Sequence, residues 1–260
     1  MRTFLICHQE EVLNREVLPR WLASFSELSG IIVLRETRKQ KLRRIQREFA
    51  RVGPLRFIDV AAFRLYYRFF QSTADRNWQG ERVAELCQRY PKFPATTPVL
   101  VSTSPNTQQA RDFIHNAGPD LMIARCKVIL KEHIFTIPRR GTFVMHPGIC
   151  PEYRNAHGCF WALANRDLAR VGMTLLRIDQ GVDTGPIFGH YHCSYDERHE
   201  SHIVIQDRMV FDSLDILRPK LEAILEGRAV PVDVSGRTSA AWGQPWLTKY
   251  VAWKWAASRP

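Results

Sequence analysis

The order of the apolar runs constrains the fold more than any other feature of this chain. Thr3 to Cys7 is a short β-rich run, Val12 to Phe25 has helical spacing, and Gly30-Ile31-Ile32-Val33-Leu34 is a strand too apolar to keep a wet face. A basic segment follows in which Leu42, Ile45 and Phe49 stand at i, i+3 and i+7, the spacing of an amphipathic helix. Strands buried on both faces and separated by helices belong to parallel sheets, whose crossovers cover each face. The alternation continues through Val99–Val101, Pro119–Ala124, Gly141–Met145, Gly172–Asp179 and Pro186–Tyr195. From Ser201 a helical pattern runs to about Gly227, with a bend expected at Pro219. The expectation is an α/β fold with a mostly parallel central sheet.

At 260 residues and 45% hydrophobic content the chain can bury a full core. No run of about 18 apolar residues predicts a transmembrane helix. The early charges of Arg2, Glu10 and Glu11 do not suit a secretory leader, so a cytoplasmic protein with no membrane partner is expected. Six scattered cysteines with no Cys-x-x-Cys pair indicate free thiols rather than a disulfide frame or a zinc site. His190, His192, His199 and His202 lack the spacing of a metal motif, so no metal is expected.

Much of the net charge of +11 falls between Arg35 and Arg47. It reads as a solvated helix face or as a surface attracting anionic substrates; nucleic-acid binding has no accompanying motif. Residues 55–72, rich in Phe and Tyr, read as a helical insertion that packs on the domain or forms a hydrophobic substrate or dimer surface.

The stretch His146-Pro147-Gly148-Ile149-Cys150-Pro151-Glu152-Tyr153-Arg154-Asn155-Ala156-His157-Gly158 places a histidine at a strand end, followed by a loop that cannot be regular. Functional side chains of α/β proteins collect at such ends. Asp179-Gln180-Gly181-Val182-Asp183-Thr184-Gly185-Pro186 answers it with carboxylates on a Gly-rich turn. Histidine both takes and gives a proton near neutrality, and a carboxylate beside it orients the ring and stabilises its cation. Such a pair suits acyl transfer to an amine. The residues alone equally allow a structural histidine and a turn aspartate.

The string His-Pro-x-x-x-Pro-x-Tyr-Arg, then Gly-Met-Thr, then Val-Asp-Thr-Gly-Pro-Ile resembles the formyltransferases that use 10-formyltetrahydrofolate. The likeness covers about residues 95–228. It implies a Rossmann-like three-layer sandwich, a catalytic domain over residues 1–228 and a short Trp-rich tail over 229–260 that packs back on it. It makes His146 the catalytic base and Asp183 its partner. The backbone of Val128, Ile129 and Leu130 would hold the pterin ring from one side, and residues Ile178, Asp179, Gly181 and Asp183 would close over it from the other. Gly148, Ile149, Cys150 and Arg154 would line the acceptor side; Cys150 is read as packing rather than as a nucleophile.

The sequence departs from the family's Asn-x-His, in which the Asn amide donates to the developing oxyanion: Val144-Met145-His146 has no donor there. Asn155 is the candidate substitute, its alternative being a turn residue bonded to nearby backbone. The expected function is formyl transfer to a primary amine of a small molecule, a sugar nucleotide or similar, with nucleic acid unlikely as a partner and a homodimer possible. A methionyl-tRNA enzyme would need a further C-terminal domain. Two other readings stay open: hydrolysis of the formyl donor, and folate or partner binding with little turnover.

Overall fold

The computed structural model describes residues 1–259. The first half of the chain runs β1 (Arg2–His8), α1 (Val12–Glu16), α2 (Leu18–Ala23), β2 (Glu27–Leu34), α3 (Arg38–Phe70), α4 (Ser72–Arg89), β3 (Val99–Ser102), α5 (Gln108–Ala117) and β4 (Leu121–Arg125). The second half adds α6 (Glu132–Phe135), β5 (Thr142–His146), β6 (Arg154–Asn155), α7 (Gly158–Ala164), β7 (Met173–Arg177), β8 (Ile187–Tyr191), α8 (His202–Phe211), α9 (Leu214–Leu225), β9 (Ala241–Trp242) and α10 (Leu247–Ser258).

Seven strands form one sheet in the order β3-β2-β1-β4-β5-β7-β8. The first five are parallel; β7 runs antiparallel to both β5 and β8. Alternation along the strands splits the core into two layers. Leu5, Cys7, Leu121, Ile123, Phe143 and Met145 face the layer containing α1, α2, α4 and α7–α10. Phe4, Ile6, Ile32, Met122 and Ala124 face α5 and α6. The result is the expected three-layer, Rossmann-like α/β sandwich.

Two local expectations change. The helical stretch after β1 is two short helices broken at Val17, with Pro19 accommodated in the first turn of α2, where its missing N–H is harmless. The basic helix and the aromatic insertion follow one another as two helical segments of α3, separated where Gly53 leaves helical geometry (φ 76°, ψ 170°) just before Pro54. The long helix after Ser201 breaks at Asp212–Ser213 rather than at Pro219. Ser213 turns its hydroxyl back to the Met209 carbonyl (2.8 Å), while Arg82 holds Asp212 (2.6 Å). Pro219 sits inside α9, where it forfeits one backbone bond near the helix start.

The tail is structured. Val232 N donates to the Ile187 carbonyl (2.7 Å), β9 pairs with β6, and α10 lies against α3 and α7. Its tryptophans are reasons for the docking: Trp253 is buried, and Trp242 stacks on Trp161 (4.8 Å) and Tyr153 (5.7 Å).

Candidate active site

His146 is the last residue of β5 and is buried to 4% exposure. Period-two alternation directs Phe143 and Met145 into the large core and leaves Val144 and His146 on the opposite face. Its Nε2 lies 2.7 Å from the Tyr153 carbonyl. A carbonyl oxygen only accepts, so Nε2 carries the proton and Nδ1 of the neutral ring keeps its lone pair. That Nδ1 is 3.5 Å from Asp183 Oδ2. The orientation expected of Asp183 therefore comes from the Tyr153 backbone. Asp183 is the charge partner that gains a bond when Nδ1 takes a proton.

The loop is held in that shape from several directions. A Cβ on Gly148 would stand 2.6 Å from the Tyr153 carbonyl and 2.8 Å from both Gly158 Cα and His146 Nε2. Only glycine lets the chain wrap the ring so closely. Thr174, paired with His146 across β5 and β7, donates to the Gly148 carbonyl (2.7 Å) and accepts from the Cys150 amide (2.9 Å). Tyr153 anchors its own end by a hydroxyl bond to Asp167 (3.0 Å) and by its stack on Trp242.

Asp183, with φ 53°, is fixed by the Asn155 backbone N–H, which donates to Oδ2 at 2.8 Å. The Asn155 side-chain amide donates to the Trp242 carbonyl. One of its two N–H donors is thus engaged with the tail, and the second is what remains for the oxyanion role read from the sequence. Asparagine suits the position because it tolerates the left-handed conformation found here (φ 75°).

Val144 packs with Cys150, Leu176, Ile187 and the tail residue Val234. An apolar cluster thus occupies the place where the amide was expected. The residues read as acceptor contacts divide in the same way. Gly148, Ile149 and Cys150 are buried and form the floor of the loop rather than its exposed lining, and burial pushes the Cys150 thiol far above its ordinary pKa. Arg154 is the residue of that group with an open face. Its guanidinium bonds the Val182 carbonyl (2.8 Å) and Ser239 Oγ (2.9 Å), tying the histidine loop, the aspartate loop and the tail together.

The two segments read as a pterin site touch one another. Val128, Leu130 and Ile178 belong to one apolar cluster, and Gln180 Nε2 bonds Glu132 Oε2 (3.2 Å). Ile129 is exposed, and its carbonyl is taken by Asn106 Nδ2 (3.0 Å). The Asp179 carboxylate is turned inward, accepting from Gly181 N (2.9 Å) and Thr184 Oγ1 (2.7 Å). Both bonds fall on Oδ1, and through them the carboxylate shapes the loop. A Cβ on Gly185 would strike the Arg177 carbonyl at 1.9 Å, which explains the glycine at that fold-back.

The mouth of the site, at the C-terminal strand ends, adds charge that the sequence reading did not single out. Arg125 donates to the Met145 carbonyl, and Lys127 pairs with Glu11 (2.9 Å). Burial alone would raise the Glu11 pKa, but Lys127 and Arg125 hold it below the usual carboxylate range. The Lys127 amide donates to His8 Nε2 (3.0 Å), and burial keeps His8 below its ordinary pKa. His157 is lowered to about 4 by burial first, then by Lys127 and Arg64. Tyr153 and Thr174 stood in the sequence motifs and Trp242 in the tail without an assigned role, and Ser239 was not singled out. Most of them act through backbone atoms or through long-range contacts, which leave no local signature.

With this geometry described, the chain can be placed among known proteins. The family model "Formyl transferase" matches residues 72–217, more than half of the chain. The protein belongs to the formyl transferase family. Among curated relatives, the methionyl-tRNA formyltransferase of Thermotoga maritima is 30% identical over 150 residues, covering 57% of this chain and 47% of the relative. The bifunctional polymyxin resistance protein ArnA of Wigglesworthia glossinidia brevipalpis is 28% identical over 137 residues, covering 52% and 21%. The chain therefore matches between about a fifth and a half of the length of these relatives. A phosphoribosylglycinamide formyltransferase from Anaplasma phagocytophilum shares the fold with a TM-score of 0.57 at 14% identity, covering 93% of this chain and 97% of that one. A sugar N-formyltransferase from a Shewanella species does so with a TM-score of 0.55 at 12% identity, covering 93% and 76%.

Proposed function

We propose that the protein transfers a formyl group from 10-formyltetrahydrofolate to a primary amine of a small molecule, a sugar nucleotide or a comparable acceptor. The observation that carries this reading is the state of His146: Nε2 is tied to the Tyr153 carbonyl, which leaves Nδ1 as a proton acceptor beside Asp183. The adjoining segments at Val128–Leu130 and Ile178–Asp183 fit a flat, hydrogen-bonding ring, with the apolar contacts of Val128, Leu130 and Ile178 behind them. Membership of the formyl transferase family supports the reaction class.

When bound, the folate supplies the activated formyl carbon and the nitrogen that leaves it. The chain supplies the proton handling. His146 Nδ1 takes the proton that the attacking amine must lose as its bond to carbon forms. Asp183 stabilises the imidazolium so formed, while the Asn155 N–H keeps the carboxylate in place. The same Nδ1 returns the proton to the leaving nitrogen as the old bond breaks. Val144 contributes no donor to the oxyanion, a deficit of about 100- to 1,000-fold relative to a site with one.

The test is incubation of purified protein with 10-formyltetrahydrofolate and a broad amine panel, read by mass spectrometry. The expected result is a formylated amine whose formation falls about 100- to 10,000-fold in His146→Ala. No formylated product would overturn the reading. Formate released without any amine would identify a hydrolase. Tight folate binding without formyl loss, unchanged in His146→Ala, would identify a binding protein.

A further inference from the structure

α3 is unlike every other helix of the molecule. From Lys41 to Arg47 each residue is exposed, so this stretch of the helix stands in solvent on all sides. Between Arg38 and Phe70 it carries ten Lys and Arg residues against Glu48 and Asp59, a net charge of +8 out of the chain's +11.

It also shows water an apolar stripe on each of its two segments. Leu42, Ile45 and Phe49 are exposed before the bend; Leu55 (84% exposed), Ile58, Leu65 and Phe69 (74%) are exposed after it. The intervals of three and four residues keep each set on one side of its half-helix. The inward side of the rear half is different: Val60 and Phe63 are buried there, with Phe63 packed on Phe160 and Tyr250. The stripe is therefore a second apolar face, not the one that attaches the helix to the domain. α10, joined to α3 by the Tyr66–Tyr250 contact and by Thr248 bonds to Asp59, adds the exposed Val251 and Trp255.

We propose that α3 lays this protein against an anionic lipid surface, its arginines at the headgroup phosphates and its apolar stripe at the acyl boundary. The charge decides among occupants. A second copy would bring another +8 helix alongside the first, which repels. A nucleic acid would meet the arginines and leave the leucines and phenylalanines wet. An anionic bilayer surface satisfies both faces at once. The expectation of no membrane partner rested on spanning segments, and among the described residues no helix is long and apolar enough to cross a membrane. Lying on a surface needs neither length nor uniform apolarity. The proposal goes beyond formyl transfer and does not depend on it.

The test is flotation of the full chain with phosphatidylcholine vesicles, with and without about a quarter phosphatidylserine, at ~100 mM salt. The protein should float only with the anionic vesicles and be released as salt rises to ~500 mM. The triple substitution Leu55→Gln, Ile58→Gln and Phe69→Gln, all at exposed positions, should keep the melting temperature and weaken partitioning by about tenfold or more. Three results would overturn the proposal: no flotation of the folded protein, equal flotation with pure phosphatidylcholine, or undiminished binding by the triple variant. Concentration-dependent dimerisation abolished by the same substitutions would overturn it in favour of a second copy.

Discussion

The histidine loop and the front of α3 are opposite solutions to the exposure of a chain. Between His146 and Gly158 backbone and side-chain groups are joined to three other segments: Thr174 from β7, Asp183 and Val182 from the β7–β8 loop, and Ser239 and Trp242 from the tail. Along Lys41–Arg47 every residue is exposed, and Arg44–Glu36 is a surface ion pair of small value. One region is shaped so that a single ring nitrogen faces one way. The other is free on its outer side and available to something outside the chain. Substitutions should therefore act strongly and chemically in the first region and hardly at all on folding in the second.

The largest effect belongs to the ring itself. His146→Ala should lower formyl transfer by about three orders of magnitude, measured as kcat/KM, while circular dichroism shows a folded domain. Second comes the tail. Trp242→Ala removes two stacks and the bond from its indole to the Glu152 carbonyl (2.8 Å). A loss of about 2–4 kcal/mol is expected in denaturant melts. Activity should fall with it, because β9 no longer holds the carbonyl that fixes Asn155. Gly148→Ala comes third: the new methyl meets the Tyr153 carbonyl at 2.6 Å, for about 1–3 kcal/mol and a fall in melting temperature of about 2–10 °C.

A smaller effect is a pH dependence of stability. His157 is near 4 in the folded chain and has an ordinary value of 6.5, so unfolding takes up a proton between those values. Its contribution is fully present above pH 6.5 and is lost as the pH falls toward 4. Lys127, Arg64, Glu48, Gln206 and the His202 ring (5.6 Å) face it, and none takes part in the substitution proposed. His157→Gln should flatten the decline of stability between pH 6.5 and 4, seen as a difference between the two melting profiles; identical profiles would contradict the assignment. The smallest effect is on α3. Leu55→Gln should change stability by no more than about 0.5 kcal/mol in thermal melts and leave formyl transfer unaltered.

Much of the sheet was legible because strands buried on both faces must be apolar throughout, as at Ile31–Leu34 and Leu121–Ala124. The His146–Asp183 pair was legible because two loop motifs carry it, although 37 positions separate the residues and the structure brings them to 3.5 Å. What fixes the ring was not legible. The Tyr153 oxygen is a backbone group that any residue could supply, and the partner of Asn155 is a carbonyl 87 positions away. Asn155 looked like a free amide for the same reason. The two helical segments of α3 were legible from their own patterns, because Gly53-Pro54 interrupts helical geometry between them.

Proton transfer at this site turns on which nitrogen of His146 is bare. Long-range 15N–1H NMR of the His146 ring, at a pH where the imidazole is neutral, reports this directly. The structure predicts a protonated Nε2 and an unprotonated Nδ1. A ring protonated at Nδ1, with a bare Nε2 facing the Tyr153 carbonyl, would contradict it.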